Sequence, residues 1–327
     1  MEDVDGTSWG LCLLFLTADT DQRAGWGLQD YRRAEVCPDC LADRTTFPFT
    51  DLTLSADWRP TCPLSAADFL ARVRVGHPVS LSHYLQRFSA PSDTMHVLDH
   101  HGLAAIICGS IVNILVHKEG RLGTTIAARL EAVNAEASDY FSLHIVSCVM
   151  PPLRESNLQV TGWGELCGPL VKAANTRHYC TFAEELACRY FDDGTDRLHL
   201  AIRRCIGALN GVYHCLYGGK LFFEDEDLIF LDEQLRLVGK YHQVCRQLCK
   251  DRNSFNFQIK QKAHYAQHLG MWARLINPRA VQNYVEEGFM GKLQKIWRAS
   301  CQGPYAKTVQ KTVLVKYLVL LIIEFEL

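Results

Sequence analysis

The order of apolar and polar positions along this chain of 327 residues separates a short, sparsely periodic opening from a long helical remainder. Residues 9–17 (WGLCLLFLT) form one apolar run closed by Ala18-Asp19, which predicts a buried strand ending in a turn. Residues 21–58 follow neither period and are punctuated by Cys37-Pro38-Asp39-Cys40, Phe47-Pro48 and Trp58-Arg59-Pro60, so they read as loop. Ser65 followed by apolar pairs predicts a helix to Arg74. Beyond it, Ile106, Ile107, Ile111, Ile114 and Leu115 recur at spacings of three and four and predict a mostly buried helix over 101–118. Further helices are expected over 124–141, 164–177, 181–191, 196–217, 226–251, 258–273, 278–299 and 304–325, with Pro278 at a helix start. Residues 144–149 are β-branched and lie just before Pro151-Pro152, the pattern of an isolated strand.

The pattern therefore predicts an α+β chain, predominantly α, with its strands near the N-terminus. Its expected parts are a strand and Cys-containing loop region at 1–62, a helical region at 63–255 and a basic helical region at 256–327. A strand so close to the first residue needs partners from elsewhere, which points to an incomplete sheet.

Composition narrows the class. With 48% hydrophobic and 21% charged residues the chain is globular rather than disordered, and its length buries a core without disulfides. The 14 cysteines are spread through apolar helical patterns, and the opening MEDVDGTSWG lacks the basic stretch of a secretory signal. They read as reduced, small hydrophobes of an intracellular protein. The longest apolar run, 313–325, carries Lys316 and is too short to span a bilayer, so no transmembrane segment is expected.

Net charge is −2, but it is segregated along the chain. Residues 256–316 hold ten Lys or Arg against Glu286 and Glu287, while 219–239 hold six acids against Lys220 and Arg236. Either two solvated faces attract each other, or a basic surface faces a polyanion such as DNA, which would place the protein in the nucleus.

Four groupings carry candidate chemistry. Cys37 and Cys40 have the spacing of half a zinc site, with Cys62, His77, His83, His96, His100 and His101 as possible completing ligands; the alternative is a loop without metal. The run Asp93-Thr-Met-His96-Val-Leu-Asp99-His100-His101-Gly102 gathers acids and imidazoles, and Asp99 reads either as a helix cap or as a metal ligand. In Lys262-Ala-His264-Tyr-Ala-Gln-His268 the two histidines stand four residues apart on one helical face, which is either half a zinc motif lacking its glutamate or a polar face. Glu286 and Glu287 precede Lys292, Lys295 and Arg298, which suits either ordinary helical ion pairs or a metal-binding acid flanked by phosphate contacts. Asp19 at a strand end and Glu287 on a late helix could share hard cations such as Mg²⁺.

These motifs, in this order, resemble a transposase-derived family abundant in dinoflagellate genomes. The resemblance runs through Ala18-Asp19, CPDC, Pro48-Phe49-Thr50-Asp51-Leu52, Trp58-Arg59, Met95-His96-Val97-Leu98-Asp99, Lys262-Ala-His264, Asn277-Pro278 and Glu286-Glu287 with Gly291-Lys292. More distantly, the chain resembles the CACTA-type and Kyakuja–Dileera–Zisupton transposases. The resemblance implies an RNase H-like core carrying an Asp-Asp-Glu triad and interrupted by a helical insertion. Within it Asp19 matches the second acid, Glu287 the last with Glu286 as alternative, and the CPDC pair a Cys-containing segment after the second acid. Asp99 sits in a recurrent motif. DNA contacts would fall to Lys262, His264, Lys292, Lys295 and Arg298, with Mg²⁺ as the catalytic cofactor and Zn²⁺ at the cysteines. Only eighteen residues precede Asp19, so the first acid and its strand are expected to be missing. That leaves three readings: a degenerate DNA strand transferase, a non-catalytic DNA- or zinc-binding remnant, and a helical interaction scaffold.

Overall fold

Leu103–His117 (α2) is the axis of the structure, and every residue from Leu103 to Val116 is buried. The computed structural model describes residues 36–37, 39–63, 92–117, 122–144, 151–158, 164–167, 171–191 and 194–282. Around α2 stand Thr94–Leu98 (α1), Ile126–Leu143 (α3), Ala173–Tyr190 (α4), Arg197–Tyr217 (α5), Asp225–Asp251 (α6), Gln261–Ala266 (α7) and Leu269–Ala273 (α8). Short 3-10 turns cover Arg59–Thr61, Glu155–Leu158 and Pro278–Val281.

The helix expected over 101–118 is apolar on all sides because its neighbours surround it. Non-helical backbone passes directly along it: Leu166 donates to the Ala105 carbonyl at 2.9 Å, and the Ser110 hydroxyl donates to Gly164 O and accepts from the Phe257 amide. Gly109 permits this approach, since a Cβ there would lie 2.4 Å from the Leu166 nitrogen. The stretch Thr94–His117 is apolar and long enough to cross a membrane, yet 83% of its apolar window is buried inside the protein. That is the profile of a core helix rather than a lipid-facing one.

The most extensive packing is between α5 and α6, which a short connection folds back on each other. Ile202, Cys205, Ile206, Leu209, Val212 and Leu216 form the buried stripe of α5, and Leu231, Leu235, Val238, Cys245 and Cys249 that of α6. Asp196 caps α5 by accepting from the Leu198 amide at 2.8 Å, and three acids in the first turn of α6 favour its dipole.

Several sequence expectations change. Residues 164–177 and 181–191 do not form two helices. The helix starts at Ala173 and runs unbroken to Tyr190, because the Thr181 hydroxyl donates to the His178 carbonyl inside the helix instead of capping a new one. The helix expected over 258–273 breaks into α7 and α8, with His268 at the junction. Gly270 allows α8 to close on α6, where a Cβ would meet Asp232. Where the helix expected from 278 should start, residues Pro278–Val281 form a 3-10 turn capped by the Asn277 side chain, which accepts from the Arg279 amide.

Among the described residues the chain is helical and no strand forms, although an isolated bridge joins Asp43 and Pro48. The strand expected at 9–17, the helix at 65–74, residues 145–149 and everything after 282 lie outside the described residues. The eleven described cysteines are all free thiols, most of them buried, in keeping with their reading as small hydrophobes.

Candidate metal centre

The loop 36–62 has no regular structure of its own beyond a single 3-10 turn, so polar anchors fix its shape. The Trp58 indole nitrogen donates to Asp51 O at 2.6 Å. The Arg59 guanidinium donates to the carbonyls of Thr53 and Leu52 and to Gln267 Oε1 at 3.0 Å. Leu52 donates to the Gln243 side chain of α6, and Leu41 to the Thr61 hydroxyl. Tyr265 reaches from α7 to donate to the Val36 carbonyl at 2.5 Å. Together these contacts press the CPDC segment against α7 and the start of α8.

At that contact four side chains converge. Cys37 Sγ lies 3.3 Å from His268 Nε2, Cys40 Sγ lies 3.3 Å from His264 Nε2, and the two Nε2 atoms are 3.1 Å apart. All four donor atoms fall within 4.8 Å of one another. A tetrahedral ion with bonds of roughly 2.3 Å to sulfur and 2.0 Å to nitrogen sets its ligand atoms about 3.3–3.8 Å apart. The spacings seen here approach that geometry to within a few tenths of an ångström for the nearest pairs. The HxxxH spacing brings both imidazoles to one side across the α7–α8 junction. Trp58 packs edge-on against His264 at 4.4 Å and against His268 at 5.5 Å between ring centres.

The site is a costly place for an uncompensated charge. Cys37, Cys40 and His264 are fully buried and His268 is 3% exposed. Burial pushes the Cys37 thiol well above its usual range, with the neighbouring Cys40 adding to the effect. Burial likewise pushes His264 well below the usual imidazole range, helped by the charges of His268 and Arg59. A divalent cation removes the penalty on thiolates, because two thiolates and a dication sum to zero charge in the buried site. The backbone is arranged for it: the Asp39 amide donates to Cys37 Sγ at 3.4 Å and the Ala42 amide to Cys40 Sγ at 3.3 Å.

The structure thus joins two groupings that the sequence leaves apart. Cys37 and Cys40 are completed by His264 and His268, and His96, His100 and His101 form a separate group. There, His96 Nδ1 bonds the Asp93 carboxylate, and His101 Nδ1 lies 3.3 Å from Glu165. His77 and His83 lie outside the described residues. Cys62 is close but differently placed, 3.2 Å from the far nitrogen of His268, Nδ1.

His264, expected to contact nucleic acid, instead points into the core toward Cys40, so the polar-face reading of 262–268 does not hold. Lys262 is half-buried and donates to the His100 carbonyl at 2.6 Å. Lys260 pairs with Glu165, Arg274 with Asp232 at 3.3 Å, and Arg279 lies over the Tyr217 ring. Each of these cations therefore has a partner within the chain. Asp99 ends α1 as a buried acceptor of the Tyr213 hydroxyl, and the N-cap in this segment is Asp93, which accepts from the Met95 amide. Asp99 does not join the metal-capable group.

Asp19, Glu286, Glu287, Lys292, Lys295 and Arg298 lie outside the described residues. Among the described residues the group able to hold a metal consists of thiols and imidazoles, a set that suits zinc and not magnesium. The chain matches no known family model, no curated protein and no solved structure.

Proposed function

We propose that this chain is a structural zinc protein that contacts DNA, a non-catalytic form of the transposase-derived proteins that its motifs resemble. One observation carries the zinc assignment: two cysteines and two histidines, all buried, present four donor atoms to one point. Four protein ligands leave no position for a water or substrate, and a closed Cys₂His₂ set is the signature of a structural rather than a catalytic site. The ion's task is to clamp the loop 36–62 onto α7 and α8.

Support for DNA comes from charge. The basic stretch 256–316 exceeds its acids by eight, and the four of its cations that fall among the described residues are engaged within the chain. Phosphate contacts are therefore assigned to the later group that includes Lys292, Lys295 and Arg298.

Elemental analysis of the purified chain tests the first part. About one zinc per chain is expected, with none in a Cys37→Ser, Cys40→Ser variant. DNA affinity measured across a salt series tests the second. Replacing Lys292, Lys295 and Arg298 by alanine is expected to reduce the slope of log affinity against log salt by about 3. A slope that is unchanged removes DNA from the proposal and leaves a zinc-held helical scaffold.

A further inference from the structure

The two ligand histidines differ in how they are held. Each presents Nε2 to the thiols, which leaves Nδ1 as the second nitrogen of each ring. His264 Nδ1 is buried without a hydrogen-bond partner, and Trp58 packs against that ring in a T-shaped contact. His268 Nδ1 lies 3.2 Å from Cys62 Sγ, and Cys62 in turn donates its thiol hydrogen toward Met271 Sδ at 3.9 Å.

This chain of contacts has one consistent reading. An imidazole that ligates through Nε2 carries its proton on Nδ1, so Nδ1 must be a donor. The Cys62 hydrogen is directed to the Met271 thioether, which leaves a sulfur lone pair to accept from Nδ1–H. Ligand histidines in metal sites almost always make such a second bond, which fixes the tautomer and the ring orientation. The usual acceptor is a carboxylate, a carbonyl or water; here it is a thiol.

We propose that Cys62 is a positioning residue of the zinc centre: it does not touch the ion but holds His268 in the tautomer and orientation that ligation requires. The proposal rests on the zinc reading above and assigns a role to a third cysteine that the four-ligand set does not include. Sulfur is a weak acceptor, so the His268 arm of the site is more loosely tethered than a carboxylate would make it. Cys62 is only half-buried, so this support is within reach of solvent, unlike the ligands themselves.

The test compares Cys62→Ala and Cys62→Ser in the full chain, with zinc affinity read by competition against a chromophoric chelator. Cys62→Ala is expected to lose about 10- to 100-fold in affinity, the range seen when such supporting partners are removed. Cys62→Ser keeps a hydroxyl acceptor for Nδ1–H and is expected to recover most of that loss. In a His268→Ala background Cys62→Ala is expected to cost nothing further, because the residue acts only through that imidazole; a general packing role would cost the same in both backgrounds. Cobalt loaded in place of zinc supplies an independent signature: the sulfur-to-metal charge-transfer band keeps its intensity in Cys62→Ala and falls in Cys37→Ala.

Wild-type affinity in Cys62→Ala, alongside loss of zinc in Cys37→Ala, overturns this role and leaves the zinc centre standing. A charge-transfer band that falls in Cys62→Ala overturns it by making Cys62 a ligand. A wild-type chain that binds neither ion overturns both readings.

Discussion

The α5–α6 pair and the loop 36–62 are held together by opposite means. In the pair, apolar side chains recur every three or four positions and bury one another along two long helices, so its stability grows with each turn. In the loop there is scarcely any regular structure, and a few backbone acceptors, one tryptophan and four metal-capable side chains set its shape. The first kind of order is spread over many small contributions and survives the loss of any one. The second is concentrated at a point and fails together.

Removing the metal separates the two regions most strongly. Zinc sites of this kind supply roughly 10 kcal/mol or more of apparent binding free energy in small peptides. Chelation is therefore expected to expose the segment 36–62 to limited proteolysis while the helical circular dichroism of α5 and α6 persists. Simultaneous loss of both signals would show that the two regions fold as one unit. A core truncation cuts the other way. Leu209 is fully buried in α5, and Leu209→Ala is expected to destabilise the fold by about 2–5 kcal/mol in chemical denaturation while zinc stoichiometry stays at one.

A subtler probe is acidity. His242 on α6 is completely buried beside Phe257, and neither ring nitrogen forms a hydrogen bond. Burial pushes its pKa down to about 4, and nearby backbone groups of Phe257 and Gln258 only partly oppose that. The unfolded imidazole takes up its proton near pH 6.5 and the folded one only near 4, so the unfolded chain binds more protons between those values. Stability present above pH 6.5 is therefore lost as pH falls toward 4, by about 3 kcal/mol in total. Denaturation of His242→Gln against wild type across this range isolates the effect: the difference between the two is expected to change with pH by that amount and then level off below 4.

Periodicity made the helical half legible. The isoleucines of α2 and the stripes of α5 and α6 predict their own elements to within a few residues, because burying one face imposes the repeat. It failed at Thr181, where a polar residue that reads as a helix start bonds back into its own helix, and at 258–273, where the helix is interrupted between two imidazoles that both face the thiols. The candidate metal centre was legible only as two halves. Cys37 with Cys40, and His264 with His268, each have ligand spacing, but no local rule links segments so far apart. The histidines of 96–101 are nearer in sequence to the thiols, yet His96 bonds Asp93 and His101 lies against Glu165. One cue did exist: two half-sites of complementary ligand type, neither completed by its neighbours, are candidates for each other.

Cys37 and His268 are 231 positions apart, so an ion that joins them turns nearly the whole described chain into a ring. The entropy withheld from the unfolded ring grows with the logarithm of its circumference, and for a crosslink of this span it amounts to about 5 kcal/mol. The same span bars the centre from acting as a folding nucleus. Its donors can meet only after the intervening helices have docked and carried the ends of the ring together. Zinc should accordingly slow unfolding far more than it speeds folding, acting as a latch on a finished structure.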